Sequence, residues 1–186
     1  RDEYEDPSDR RFHAQPIACY LCGPKVWIER ADGKPVAVDA FTMLDETDAV
    51  CTLIQRGFIV AIKGLGGFQL ACDATNETAV QRLRELKHRE RKPFALMVRD
   101  LDVAGQFCEI SEVEASILRS AAAPIVILDR SKTEEVIKVA ASVAPGINTL
   151  GVMLANTPLH HLVLRRMTRP IVLTSGNLTD EPQCIE

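Results

Sequence analysis

The sequence predicts an α/β fold, one mixed sheet with flanking helices. Three observations predict it. Short apolar runs recur along the chain, among them Phe58-Ile59-Val60-Ala61-Ile62, Phe94-Ala95-Leu96-Met97-Val98, Pro124-Ile125-Val126-Ile127-Leu128 and Pro170-Ile171-Val172-Leu173; runs of this length read as strands, the continuous run 58–62 as a buried one. Between them lie stretches with apolar residues at helical spacing, several opened by a capping side chain. Glycine or proline marks many of the joints.

The elements follow in order. Residues 1–15 are polar and without periodicity. Val26-Trp27-Ile28 reads as a strand, Asp32-Gly33 as a hairpin turn and Val36-Ala37-Val38 as the returning strand. Asp45-Glu46-Thr47-Asp48 opens a helix with Val50, Leu53 and Ile54 inside, ended by Gly57. The strand 58–62 leads into Lys63-Gly64-Leu65-Gly66-Gly67, and Phe68-Gln69-Leu70-Ala71-Cys72 alternates as the next strand. Asn76 caps a helix whose inner face is read as Val80, Leu83 and Leu86. That pattern fails at Lys87-His88-Arg89-Glu90-Arg91-Lys92-Pro93.

In the second half, Asp100 starts a short helix. Ser111-Glu112-Val113-Glu114 is a capping box before a helix carrying Val113, Ile117 and Leu118. Pro124 begins a strand, as an edge or a strand start would. Residues 129–135 form a polar loop. Gly151-Val152-Met153-Leu154 is a strand, and Thr157-Pro158 is an N-cap with proline at the first helical position. Leu159, Leu162, Val163 and Met167 are assigned to that helix's inner face. The strand 170–173 runs into Thr174-Ser175-Gly176-Asn177. There is no internal repeat, coiled coil or low-complexity tract.

With 186 residues, the chain can hold one domain with a real core and an appendage. Its 46% hydrophobic and 26% charged content is that of an ordinary globular protein. The net charge of −4, from 22 Lys and Arg against 26 Asp and Glu, excludes the global basic field of a dedicated nucleic-acid binder. Any anion site must be a local concentration of charge. No apolar run is long enough to span a bilayer, and the N-terminus is unlike a signal peptide. Six cysteines, only two of them closely spaced, do not make a disulfide framework, so a cytoplasmic location is expected.

Three segments carry candidate chemistry. Lys87, Arg89 and Lys92 cluster cations where a helix breaks down. Thr174, Ser175 and Asn177 offer hydroxyl and amide groups after a buried strand. Lys63, Gly64, Gly66 and Gly67 stand at another strand end. Together they suit a highly anionic ligand such as a nucleoside triphosphate. Arg89 brings a planar fork for phosphate oxygens, whereas Lys87 and Lys92 are mobile point charges. Taken alone, each has a plainer reading: a solvated helix end, a stabilised turn, a tight strand connection. The glycine segment is neither a Walker A motif nor a dinucleotide fingerprint. His160 and His161 lie in a first helical turn, where the dipole disfavours the imidazolium, and read as neutral hydrogen-bonding groups, not a metal pair. Cys19 and Cys22 have zinc half-site spacing, but tetrahedral zinc needs four ligands. His13 is poorly spaced to help. Two reduced surface cysteines, or a partner half outside the chain, remain open.

The order and spacing of Lys63-Gly64-Leu65-Gly66-Gly67-Phe68, Lys87-x-Arg89-x-x-Lys92-Pro93-Phe94-Ala95, Val143-Ala144-Pro145-Gly146, Leu150 to Leu154, Thr157-Pro158-Leu159-His160-His161 and Thr174 to Asn177 resemble the YrdC-like domain of the HypF carbamoyltransferase family. Asp6-Pro7, Asp9 to Pro16 and Cys19 to Pro24 resemble the end of that family's zinc-finger region. The resemblance implies a YrdC-like twisted mixed sheet over residues 25–186, behind a zinc-knuckle remnant at residues 1–24. It also implies that the chain is an excised piece of a longer protein whose last strand lies beyond Glu186. One departure stands out: Ala155-Asn156 replaces the family's usual Pro-Tyr beside the small-substrate pocket.

What the resemblance implies is adenylation. Carbamate, released elsewhere in the protein from carbamoyl phosphate, attacks ATP and gives carbamoyl adenylate. The carbamoyl group then passes to another HypF domain and on to HypE in [NiFe]-hydrogenase maturation. Lys87 and Arg89 would be catalytic. Lys63, Gly64, Gly66, Gly67, Lys92, Thr174, Ser175 and Asn177 would hold the nucleotide, with Mg2+ on the phosphates. Thr157, His160 and His161 would line the small-substrate pocket, and Cys19 and Cys22 would ligate Zn2+ in the full-length protein. Two rivals are a threonylcarbamoyl-adenylate synthase for transfer RNA modification and a double-stranded RNA-binding module. The N-terminal segment and residues 157–161 argue against the first, and the acidic balance against the second.

Overall fold

The computed structural model describes residues 5–8, 23, 25–34, 45–132, 136–178 and 181–185. The chain divides into two compact units, Arg1–Ala37 and Val38–Glu186. In the first, the Asp32-Gly33 turn forms as the sequence predicts. Gly33 takes φ +73°, and its N–H donates to the Arg30 carbonyl at 2.8 Å. Val26-Trp27-Ile28 is not a strand, apart from an isolated bridge at Glu29. Trp27 is 72% exposed, so alternation there gains no buried face to stabilise a ladder. Val36-Ala37-Val38, Cys19, Cys22 and His13 lie outside the described residues.

The second unit is built on one six-stranded mixed sheet, in the order β1-β2-β6-β3-β5-β4. The strands are β1 (Val60–Gly64), β2 (Gly67–Asp73), β3 (Ala95–Val98), β4 (Val126–Asp129), β5 (Thr149–Leu154) and β6 (Ile171–Ser175). Only β3 and β5 run parallel; the other neighbours are antiparallel. β4 is an edge strand, one of the two positions that the proline before it suits.

The helices are α1 (Glu46–Gln55), α2 (Glu77–Lys87), α3 (Leu101–Ala104), α4 (Glu112–Leu118) and α5 (Pro158–Leu164). Each begins where a capping side chain stands in the sequence: Asp45, Asn76, Asp100, Ser111 and Thr157 each accept a backbone N–H of the first turn. Such a cap contributes about 1 kcal/mol. Alternation along the strands feeds two cores. Cys72, Leu96, Val152 and Val172 pack with Val80 and Leu83 of α2. Ala71, Met97, Met153 and Leu173 pack with Ile54 of α1 and Val163 and Leu164 of α5. Among the described residues no helix is long and apolar enough to cross a membrane.

Several inner-face assignments shift by one or two positions. Leu86 is 54% exposed and Leu162 43% exposed, while Lys87 and Leu164 are buried. In α4 only Leu118 is buried; Val113 and Ile117 are exposed. The reason is the same each time. On a helix of two or three turns the buried stripe is set by where the sheet lies, and several apolar spacings fit equally well.

Candidate functional site

The site begins at the C-terminal end of α2. The buried stripe of this helix is Val80, Leu83, Arg84 and Lys87, the i, i+3, i+4, i+7 spacing of a helix face. Its last two members are cations. Lys87 is only 2% exposed. Its Nζ donates to the carbonyls of Ser175 and Asn177, both at 2.5 Å, and to Asn177 Oδ1 at 3.3 Å. A buried ammonium must find acceptors, and here the end of β6 supplies them. Burial holds the Lys87 ammonium below its ordinary pKa and the Arg89 charge adds to this, with Cys184 opposing. His88 ends the helix in the left-handed region at φ +51°.

The basic loop then folds inward. Arg89 donates from Nε to the Lys92 carbonyl at 3.0 Å and from Nη2 to the Pro93 carbonyl at 2.5 Å. Its guanidinium lies 4.9 Å from the Phe94 ring centre. Burial lowers its pKa. Lys92 is exposed on the same loop.

The turn after β6 meets the glycine hairpin. Ser175 Oγ donates to Asn177 Oδ1, and Asn177 Nδ2 donates to the Glu181 carbonyl at 2.5 Å. Gly176 N–H donates to the Phe68 carbonyl at 2.7 Å. A Cβ on Gly176 would lie 2.9 Å from that carbonyl oxygen, so the approach requires glycine. The segment Lys63–Gly67 is a two-residue β-hairpin in which Gly64 pairs with Gly67. It is therefore a tight strand connection, and one whose second strand is bonded to the Ser-Gly-Asn turn. Residues 183 and 184 strap this junction. Phe68 N–H donates to the Cys184 carbonyl at 2.8 Å, and Gln183 Nε2 donates to the Phe68 carbonyl at 2.8 Å. Lys63 Nζ lies 5.4 Å from the Phe68 ring centre. Thr174 is half-buried, paired with Leu70 in the ladder.

Thr157, His160 and His161 reach this junction differently. Thr157 caps α5, its Oγ accepting the His160 N–H at 3.2 Å. The buried His160 ring places Nδ1 2.8 Å from Asn156 Oδ1 and Nε2 3.0 Å from Gln69 Oε1. Burial lowers its pKa, with the charge at His161 adding to this. The ring is thus neutral at pH 7, with one donor and one acceptor nitrogen, so one of the two amides turns its NH2 toward it. Gln69 faces Ser175 across the β2–β6 ladder, which sets Asn156, His160 and Gln69 beside the turn. His161 is exposed, one position further round the helix than the buried His160.

Sequence reasoning missed Arg84, Gln69 and Gln183. Arg84 had a signal, being a charge at i+4 from Val80 and next to Leu83 on the buried stripe. Gln69 had a weaker one, as a polar residue inside an alternating strand. Gln183 had none.

Chemically, the arrangement supplies cations, oriented polar groups and a neutral imidazole. The buried Cys51 and Cys72 offer no nucleophile: burial pushes their thiols to about 11 and about 12. Among the described residues no group of three or more His, Cys, Asp or Glu is placed to hold a metal. Neutralising and orienting a polyanion is what remains, and it is the main requirement of phosphoryl-transfer chemistry.

Known proteins resemble this chain along its whole length. Residues 52–186 match the Sua5/YciO/YrdC family model, described as "Telomere recombination", and residues 1–29 match the HypF finger. A carbamoyltransferase HypF from Rhodobacter capsulatus is 49% identical over the whole chain, which spans 23% of that protein. A full-length HypF solved in a phosphate- and nucleotide-bound form superposes with a TM-score of 0.80 at 41% identity, over 98% of this chain and 22% of its own. The T. kodakarensis HypF structure superposes with a TM-score of 0.82 at 38% identity, over 98% of this chain and 23% of its own. The chain therefore belongs to the Sua5/YciO/YrdC family and, by its finger match and its 49% identity along all 186 residues, corresponds to a stretch of the HypF carbamoyltransferases.

Proposed function

We propose that the chain binds ATP between the basic loop, the glycine hairpin and the Ser-Gly-Asn turn, and there makes carbamoyl adenylate from carbamate. One observation carries this reading. Lys87 Nζ joins the end of α2 to the carbonyls of Ser175 and Asn177, so the cations and the polar turn share one end of the sheet. The nucleotide and phosphate bound to the full-length HypF relative support the choice of ligand.

In this reading Arg89, Lys63 and Lys92 neutralise the triphosphate. Lys87 fixes the turn and adds its charge. Thr174, Ser175 and Asn177 bond phosphate oxygens, and Gly64, Gly66 and Gly67 allow close backbone approach. A carbamate oxygen attacks the α-phosphorus. The new P–O bond forms as the bond to the bridging oxygen breaks, and pyrophosphate leaves with the electron pair. No side-chain nucleophile is needed; positioning and charge neutralisation lower the barrier. Magnesium would ride on the phosphates and increase that neutralisation. Neutral His160, with Thr157 and His161, would border the carbamate. Its imidazole, bonded to Asn156 and Gln69, would hold those amides in place without adding a charge.

The wider role follows the family. Residues 1–24 would end a zinc finger whose Cys19 and Cys22 ligate zinc in the full-length protein, and residues 25–186 would form the YrdC-like domain. The carbamoyl group would pass to another HypF domain and then to HypE, in the cytoplasm, to build the cyanide ligands of [NiFe]-hydrogenase. Calorimetric titration with ATP and magnesium tests the binding. ATP–pyrophosphate exchange tests the chemistry: exchange that depends on carbamate supports the proposal. Exchange that instead requires threonine would assign the chain to threonylcarbamoyl-adenylate synthesis.

A further inference from the structure

We infer that Arg84 is the positioning residue of the anion site: its guanidinium is the template on which the basic loop folds. The inference rests on the nucleotide reading above. Arg84 is only 9% exposed. Its Nε donates to the Ser142 carbonyl, Nη1 to those of Arg89 at 2.8 Å and Glu90 at 3.3 Å, and Nη2 to those of Lys92 at 3.3 Å and Val143 at 3.2 Å. Five main-chain acceptors thus surround one planar fork, three of them from the loop.

The arrangement solves a physical problem. A loop carrying Arg89, Arg91 and Lys92 repels itself and has no apolar side chain of its own until Pro93. Arg84 draws the loop carbonyls to one centre, which leaves Arg91 and Lys92 exposed. The far side of the fork is anchored through the turn 141–143, which Ser142 fastens to Glu77 at the start of α2. Arg84 and Arg89 also share the Phe94 ring, at 4.8 and 4.9 Å. All five acceptors are neutral, so no bonded carboxylate cancels the Arg84 charge, and it adds to the field that meets an anion. Lysine could supply the charge but not the fork, because a tetrahedral ammonium has three donors and cannot serve five acceptors.

The test uses the 186-residue chain with Arg84→Lys and Arg84→Ala. Trypsin reports on the loop directly, since Arg89 and Arg91 are cleavage sites. Expected are cleavage of Arg84→Lys confined to those two bonds, and ATP affinity at least tenfold below the parent despite the retained charge. In Arg84→Ala, millimolar methylguanidinium should restore ATP binding and trypsin resistance, and equimolar methylammonium should not. Parental ATP affinity and trypsin resistance in Arg84→Lys would overturn the inference. So would cleavage throughout the chain in both variants, which would make Arg84 a general stability residue. A parent that fails to bind ATP would defeat the nucleotide reading instead; the trypsin pattern would still decide whether Arg84 organises the loop.

Discussion

Lys87 and Asn177 meet at 2.5 Å, Nζ to main-chain oxygen, across ninety positions of sequence. The same Nζ holds Ser175. A buried lysine therefore closes the sheet end on which the proposed site stands. Its three acceptors are otherwise the exposed end of a strand.

Lys87→Met should therefore cost stability as well as ligand binding. Removing the ammonium leaves carbonyls facing apolar carbon, a penalty on the order of 2 kcal/mol. Urea denaturation followed by circular dichroism measures it. An unchanged midpoint with ATP binding lost would recast Lys87 as a ligand group and not a structural tie.

The glycine hairpin should tolerate substitution at one glycine and not at another. A Cβ on Gly67 would lie 2.6 Å from the Cys184 carbonyl oxygen, at φ +127°, whereas one on Gly66 meets nothing within 4 Å. Gly67→Ala is expected to destabilise by roughly 1–3 kcal/mol, with the strap of residues 183–184 displaced. Gly66→Ala should shift the urea midpoint little. Equal midpoints would mean that the strap does not press on the hairpin.

This contrast shows how much was legible in the sequence. Local chemistry was: Asp45, Asn76, Asp100, Ser111 and Thr157 cap helices because a capping bond spans only a few residues. Strand existence was also readable, from runs such as 58–62 and 94–98. The sheet order was not, because nothing local says that β2 pairs with β6, the last strand in the chain. The two anion segments were separately visible. That they meet was legible as well, from their complementary chemistry; the bond that joins them was not, since it depends on Lys87 being buried where Leu86 looked the better core residue. A cation on an inner face reads as a surface residue until its acceptors are known, and Arg84 stayed hidden for the same reason.

His160 should make stability pH-dependent near neutrality. Its folded pKa is lowered, by burial first and the His161 charge second. The unfolded chain then binds more protons as pH falls below about 6.5. The stabilisation is present above that pH and is lost as pH falls through the folded value. Urea midpoints measured from pH 7.5 down to 5 should decline, and His160→Gln should flatten the decline while keeping an amide able to bond Gln69 or Asn156. An identical decline in the variant would assign the dependence to other groups.

The last prediction separates two neighbours on the basic loop. His88 sits at φ +51° with its side chain exposed, so it serves as a left-handed helix cap. Glycine adopts that conformation without the Cβ penalty, and His88→Gly should stabilise the chain by up to about 1 kcal/mol while leaving ATP affinity unchanged. Arg89 is half-buried, and its bonds to the Lys92 and Pro93 carbonyls orient its charge within the loop. Arg89→Ala removes a charge-assisted contact to phosphate, for a loss on the order of 1.5–3 kcal/mol in binding, tenfold or more in Kd. Calorimetric titration of both variants with ATP and magnesium checks the pair. If Arg89→Ala binds as tightly as His88→Gly, the Arg89 guanidinium serves only the loop's own fold and does not reach the nucleotide.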